Sequence, residues 1–176
     1  MVNSPRSVWK EWLAANGPRL LLFARGWANC REDAEDLVQE AVLRLWNHQA
    51  DKGGLPPDLP FAFSTIRFCG LNHYRTESRR KKREESIIYL NDFEDVWLDP
   101  VLEDDEDAAR LRDAVQNLSP KLREVVVMKS WGGLTFAEIS EALAISPNTA
   151  ASRYRYALEQ LSQELRQLKE ARNATA

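Results

Sequence analysis

Apolar residues recur at intervals of three and four along nearly the whole chain, the spacing that gathers them on one side of an α-helix. In REDAEDLVQEAVLRLWNH (31–48) the stripe is Ala34, Leu37, Val38, Ala41 and Leu45, with Trp46 at its edge. Glu35, Asp36, Gln39, Glu40 and Arg44 lie off it, so the segment predicts an amphipathic helix. An earlier helix is predicted with Ser7 as its N-cap and Trp9, Trp12 and Leu13 on one face; Gly17-Pro18 should interrupt it before PRLLLFARGWA resumes. DKGGLPPDLP (51–60) reads as a loop because glycine and proline disrupt both periods. From Pro60 a long helical segment leads into a basic cluster of Arg75, Arg79, Arg80, Lys81, Lys82 and Arg83, with Phe61, Phe63, Phe68 and Tyr74 expected in its core face.

The C-terminal part has the same period with clearer punctuation. DAARLRDAVQNL is periodic, and Ser119-Pro120 supplies an N-cap and first position for PKLREVVVMKSW, which Gly132-Gly133 stops. Thr135 and Glu138 have capping-box spacing ahead of TFAEISEALAI, and Ser146-Pro147 opens a last helix. That helix carries an apolar ladder of Ala150, Tyr154, Ala157, Leu158, Leu161, Leu165 and Leu168. No segment alternates with the period of a strand, and no internal repeat is present, so the predicted fold is all-α.

Charge changes the picture by dividing the chain. The formal net charge is −3, yet residues 1–91 hold 14 Lys+Arg against 11 Asp+Glu, residues 92–113 hold 2 against 10, and residues 114–176 hold 8 against 6. An acidic stretch therefore separates two mildly basic ones, and the whole-chain charge is a poor guide to partners. We expect two small helical domains, an N-terminal helical bundle at 1–87 and a helix-turn-helix domain at 108–176, joined by an acidic linker at 88–107. Cys30 and Cys69 are far apart, and His48 and His73 do not flank them at zinc-ligand spacing, so neither a metal nor any other cofactor is expected. The N-terminus has no signal-peptide pattern and no apolar run reaches 18 residues, so the expectation is a cytoplasmic protein without membrane insertion. No nucleophile with its base and no phosphate-binding Gly-rich loop can be assembled, which argues against an enzyme.

The last two helices suggest a chemistry. Two short helices with a tight turn between them fit a helix-turn-helix, and the second bears Asn148, Ala151, Ser152, Arg155 and Tyr156 opposite its leucines. Small residues let such a helix approach DNA closely, and arginine can pair with phosphate or with a guanine edge. An ordinary helical hairpin with a solvated face would share the same periodicity. Ala144 stands out, because a turn of this kind favours a left-handed residue and alanine there costs on the order of 1 kcal/mol.

Three segments, DAEDLVQEAVLRLW (33–46), FAFSTIRFCGLNHYRTESRR (61–80) and LSPKLREVVVMKSWGGLTFAEISEALAISPNTAASRYRYAL (118–158), resemble the two conserved regions of bacterial sigma-70 family initiation factors. The short two-domain layout is similar to the extracytoplasmic-function (ECF) group. The resemblance implies a non-catalytic subunit that directs core RNA polymerase to promoters. Asp33, Glu35, Asp36, Gln39 and Glu40 would then lie on the helix that docks on the clamp coiled coil of polymerase. Arg67, Asn72, Arg75, Arg79 and Arg80 would contact the minus 10 element, while the loop 51–60 captures a flipped base. Asn148, Thr149, Ala151, Ser152, Arg153, Arg155 and Tyr156 would read the minus 35 element. Implied partners are core RNA polymerase through its clamp and flap, promoter DNA and an anti-sigma factor.

The chain departs from the family pattern at informative places. The usual Arg-Asn pair reads Arg67-Phe68, and the usual aspartate four residues later is Asn72. Two positions of the last helix that often carry cations are Ala151 and Tyr156. The alternative function is a helix-turn-helix regulator that binds duplex DNA without polymerase, but it leaves REDAEDLVQEAVLRLW without a role.

Overall fold

The computed structural model describes residues 4–83 and 106–175, and every regular element among them is helical. The chain divides into two compact units, with the division between residues 95 and 96. The expected linker, 88–107, lies outside the described residues except for Glu106 and Asp107, which begin a helix. No described helix is long and apolar enough to cross a membrane.

In the first unit, α1 (Pro5–Ala24), α2 (Arg31–Ala50) and α3 (Leu59–Arg83) pack on one another, with a 3-10 turn (Arg25–Trp27) after α1. The core is built from Leu20, Phe23, Leu37, Leu45, Phe63 and Ile66, all essentially inaccessible to solvent, with the rings of Phe23 and Phe63 edge to face at 5.0 Å. Two expectations about α1 are corrected. Ser4, not Ser7, is the N-cap: its Oγ accepts from the Ser7 N–H, and Pro5 occupies the first position, where a missing N–H costs nothing. Gly17-Pro18 does not break the helix either, since Pro18 lies inside it. Proline forbids the helical conformation to a preceding residue mainly through that residue's Cβ, and Gly17 has none. The side-chain amide of Asn16 donates to the Trp12 carbonyl at 2.9 Å, adding a bond one turn before the proline.

In the second unit, α4 (Glu106–Asn117), α5 (Pro120–Val126) and α6 (Phe136–Leu143) gather on α7 (Pro147–Thr175). Ser119 and Pro120 start α5 as the sequence implies, although the Ser119 hydroxyl makes no capping bond. α5 loosens into one π-helical stretch, Val127–Trp131, where the Gly132 N–H reaches back to the Val127 carbonyl. The capping box of α6 is complete: the Glu138 N–H donates to Thr135 Oγ1 at 3.2 Å, and the Thr135 N–H donates to Glu138 Oε2 at 2.7 Å. The Thr135 N–H and the Thr135 hydroxyl, both donating to Glu138 Oε2, hold the Glu138 carboxyl below its ordinary value.

Candidate nucleic-acid interface

α2 sorts its polar residues by angle. Cys30 precedes it as the N-cap, its sulfur accepting from the Asp33 N–H at 3.4 Å. Ala34, Leu37, Ala41 and Leu45 are buried, so at about 100° per residue the outermost line runs through Asp36, Gln39 and Leu43, all exposed, with exposed Asp33 beside it. Leu43 is 64% exposed, an apolar side chain in a polar row that the sequence stripe had left unassigned. The other two acidic candidates are engaged within the protein. Glu35 pairs with Arg31 at 2.6 Å; Glu40 accepts from Arg44 at 2.9 Å through one oxygen and meets His73 Nε2 at 2.8 Å through the other. The His73 hydrogen bond and then Arg44 hold the Glu40 carboxyl below its usual range. Glu40 thus ties α2 to α3. Cys69 is buried beside this group, and desolvation pushes its thiol up to about 11.

On α3 the buried line is Ala62, Ile66 and Cys69, widened by Phe63 and Gly70. Of the four aromatic residues expected in the core, Phe63 alone is there. Phe61 is 38%, Phe68 53% and Tyr74 69% exposed, because they lie off the buried line; Phe61 and Phe68 touch the rim of α2, at His48 (5.1 Å between ring centroids) and Arg44. Phe61, Phe68, Asn72 and Arg75 fall on one stripe of α3, continued in register by Arg79. Arg67 and Tyr74 share a second stripe, and Arg80 falls in register with the buried line, beyond His73. The side chains of Arg79 and Arg80 lie outside the described residues. The Arg44 guanidinium stands over the Phe68 ring, 5.6 Å from its centroid, so the group that pairs with Glu40 also braces the middle of the aromatic stripe.

The loop between α2 and α3 is fastened at both ends. The Gly54 N–H donates to the Gln49 carbonyl at 2.8 Å, and the Gly54 carbonyl accepts from Trp9 Nε1 at 2.8 Å. At the other end Asp58 Oδ1 caps α3 by accepting from the Phe61 N–H at 2.9 Å.

In the second unit α6 and α7 meet through a left-handed Ala144, φ 53° and ψ 49°, so the turn does adopt the conformation that alanine resists. The Ile145 N–H donates to the Ser140 carbonyl and the Ala144 N–H to that of Glu141, the Schellman pattern that ends a helix at such a residue. Asn148, Ser152, Arg155 and Tyr156 are exposed on α7, whereas Ala151 and Arg153 are half-buried. Thr149 is committed locally: its N–H and its hydroxyl both meet Ser146 Oγ, at 3.0 and 2.8 Å. Ala150 and Ala157 are buried against the rest of the unit, and Tyr154 meets the Phe136 ring edge on at 5.8 Å. Leu158, expected in the apolar ladder, is instead 43% exposed, because α5 and α6 cover only the side of α7 that carries the alanines and Leu161. Leu165 is half-buried, and the side chain of Leu168 lies outside the described residues.

Residues 12–80 match the Sigma-70 region 2 family and residues 108–161 match Sigma-70, region 4. The chain is 31% identical over 160 residues to the RNA polymerase sigma-E factor of Streptomyces avermitilis, covering 89% of this chain and 84% of that one. It is 29% identical over 134 residues to the ECF RNA polymerase sigma factor SigK of Mycobacterium ulcerans, 73% of this chain and 70% of that one. Its fold is similar to that of the sigma factor RpoE of Bartonella quintana, solved in complex with the anti-sigma factor NepR, with a TM-score of 0.72 at 22% identity over 90% of this chain and 96% of that one. Two matched regions in this order do not favour a stand-alone helix-turn-helix regulator. The chain belongs to the sigma-70 family of RNA polymerase sigma factors, in its extracytoplasmic-function group, the subunits that direct core polymerase to specific promoters and initiate transcription.

Proposed function

We propose that the first unit binds core polymerase and opens the minus 10 element, and that the second recognises the minus 35 element, with domain limits at 1–87 and 108–176 and the acidic stretch 88–107 between them. On α2, Asp36 and Gln39 lead in line to exposed Leu43, with Asp33 near the start of the row, a polar line ending in an apolar side chain that suits the clamp coiled coil. Glu35 and Glu40 orient neighbours at this surface rather than meeting polymerase alone.

The observation that carries the reading is the α3 stripe, where exposed Phe61 and Phe68 are followed by half-buried Asn72 and exposed Arg75. Strand opening needs faces for unstacked bases, worth about 1–3 kcal/mol per base, and cations along the displaced backbone. Phe68 stands where the family usually has an asparagine, so at that point stacking replaces hydrogen bonding. The loop expected at 51–60, whose last two residues Leu59 and Pro60 already belong to α3, lies just ahead of this stripe and takes the flipped base. On α7, Asn148, Ser152, Arg155 and Tyr156 face the major groove, and with alanine at position 151 the helix relies on fewer cations and more on DNA shape.

The partners are core RNA polymerase, through its clamp and flap, and promoter DNA, in the cytoplasm. Since the similar Bartonella quintana protein was captured with an anti-sigma factor, we assign this chain an anti-sigma partner of its own. Run-off transcription with purified core polymerase tests the reading: promoter-dependent RNA is expected only when this chain is present. Absence of that RNA together with absence of core binding would overturn it.

A further inference from the structure

Trp9 is 3% exposed, yet its indole N–H is spent on a partner 45 residues away, the carbonyl of Gly54. The ring is held from two other sides, by Trp12 at 5.8 Å and by Trp46 of α2 at 5.2 Å between centroids. Gly54 has φ +71°, and a Cβ built on it would stand 3.6 Å from the Pro5 side chain, so the first turn of α1 lies directly against this loop residue. Pro57 is buried and Asp58 is fixed as the cap of α3, which leaves Leu55 as the loop's projecting apolar side chain, 57% exposed between two anchored points. Pro5 and Trp9 both precede residue 12, where the match to region 2 begins.

We propose that Trp9 is a positioning residue for promoter opening: its bond to the Gly54 carbonyl sets where Leu55 stands, and Leu55 packs against the base that the 51–58 loop receives. The inference rests on the reading of that loop as the base-capturing element. A buried indole N–H needs an acceptor in any fold; here that acceptor is the carbonyl next to Leu55, so the bond that satisfies Trp9 also fixes the loop residue before the projecting side chain. That arrangement makes sense where an exposed apolar side chain has to be presented at a fixed place, since an untethered Leu55 would lose ordering entropy on each binding event.

The test uses holoenzyme assembled from the full chain and core polymerase, with a short single-stranded DNA pool randomised at every position; sequencing the bound fraction gives a preference at each position. Leu55→Ala should flatten one position. Trp9→Phe, which keeps an aromatic ring and removes the N–H, should flatten the same position by about three- to tenfold, the range for loss of one buried hydrogen bond, and leave the others unchanged. Uniform loss of recovery at all positions would mean that Trp9 serves folding only. A profile that Leu55→Ala flattens and Trp9→Phe leaves intact would remove Trp9 from the mechanism while keeping the loop reading. A profile indifferent to Leu55→Ala would remove both. Should Trp9→Phe prove unstable at the assay temperature, 3-benzothienylalanine at position 9 keeps the indole shape without the N–H and makes the same comparison.

Discussion

Gly70 lies where α3 crosses the 3-10 turn, and a Cβ there would come within 2.6 Å of Trp27 Cγ and 2.7 Å of Trp27 Cβ. Those are the near atoms of the tryptophan, so no rotamer change relieves the clash and the helix itself must move. An exposed helical Gly→Ala would add about 1 kcal/mol of stability; Gly70→Ala should instead cost about 1–3 kcal/mol, read as a lower urea midpoint by circular dichroism. A gain would mean that Trp27 yields more easily than its geometry allows. Ala144→Gly should behave in the opposite way, gaining about 0.5–1 kcal/mol by relieving the left-handed alanine, and an unchanged urea profile would show that the turn carries no strain. The two residues differ in how far sequence could lead. Ala144 is conspicuous because the turn is local and its stereochemistry is known from the spacing of the caps. Gly70 is not, since its partner sits 43 positions earlier and nothing in the intervening residues links them.

At the scale of the element, helix existence was legible apart from the break expected at Gly17-Pro18, while orientation was legible where a single apolar stripe stands on the helix, as on α2. The buried stripe of α2 agrees with its period. α3 packs against both α1 and α2, and its small residues Ala62, Cys69 and Gly70 take the inner positions, so the larger rings at 61, 68 and 74 were misjudged as core. The capping box of α6 could be read directly, because three residues suffice to define it. It also gives a pH dependence. The Glu138 carboxyl titrates below the ordinary 4.5 when folded, so its contribution is fully present above that value and is lost as pH falls through the lower folded value. The same sign holds for Glu40, which His73 and Arg44 shift downward. Melting temperature should therefore fall on acidification below about pH 4.5, and Glu138→Gln should make that fall shallower; an identical slope would show that the box does not report on stability. Thr135→Ala removes the other half and should cost about 1 kcal/mol at neutral pH.

For the molecule as a whole, the decisive feature is that cations suited to DNA are divided between two compact units while the residues from 92 to 113 carry the excess acid. If the two units read separate promoter elements as proposed, each can be weak alone and specific together, since binding one element raises the local concentration of the other. Separate units also imply separable defects. Arg75 is exposed, in line with Phe68 and Asn72 on α3, and in the proposed reading it meets backbone phosphate. Arg75→Ala should weaken holoenzyme binding to every promoter and reduce the slope of log affinity against log salt by about one unit, with minus 35 preference untouched. Arg155→Ala, on the exposed face of α7, should change minus 35 preference by about 1–3 kcal/mol at one base pair and leave the ranking of minus 10 sequences as it was. Measuring both variants against both elements over a salt series distinguishes independent reading from coupled reading. If Arg155→Ala also reorders the minus 10 sequences, the two units communicate through polymerase or through the acidic stretch, and the division of labour drawn from their separate cores does not extend to recognition.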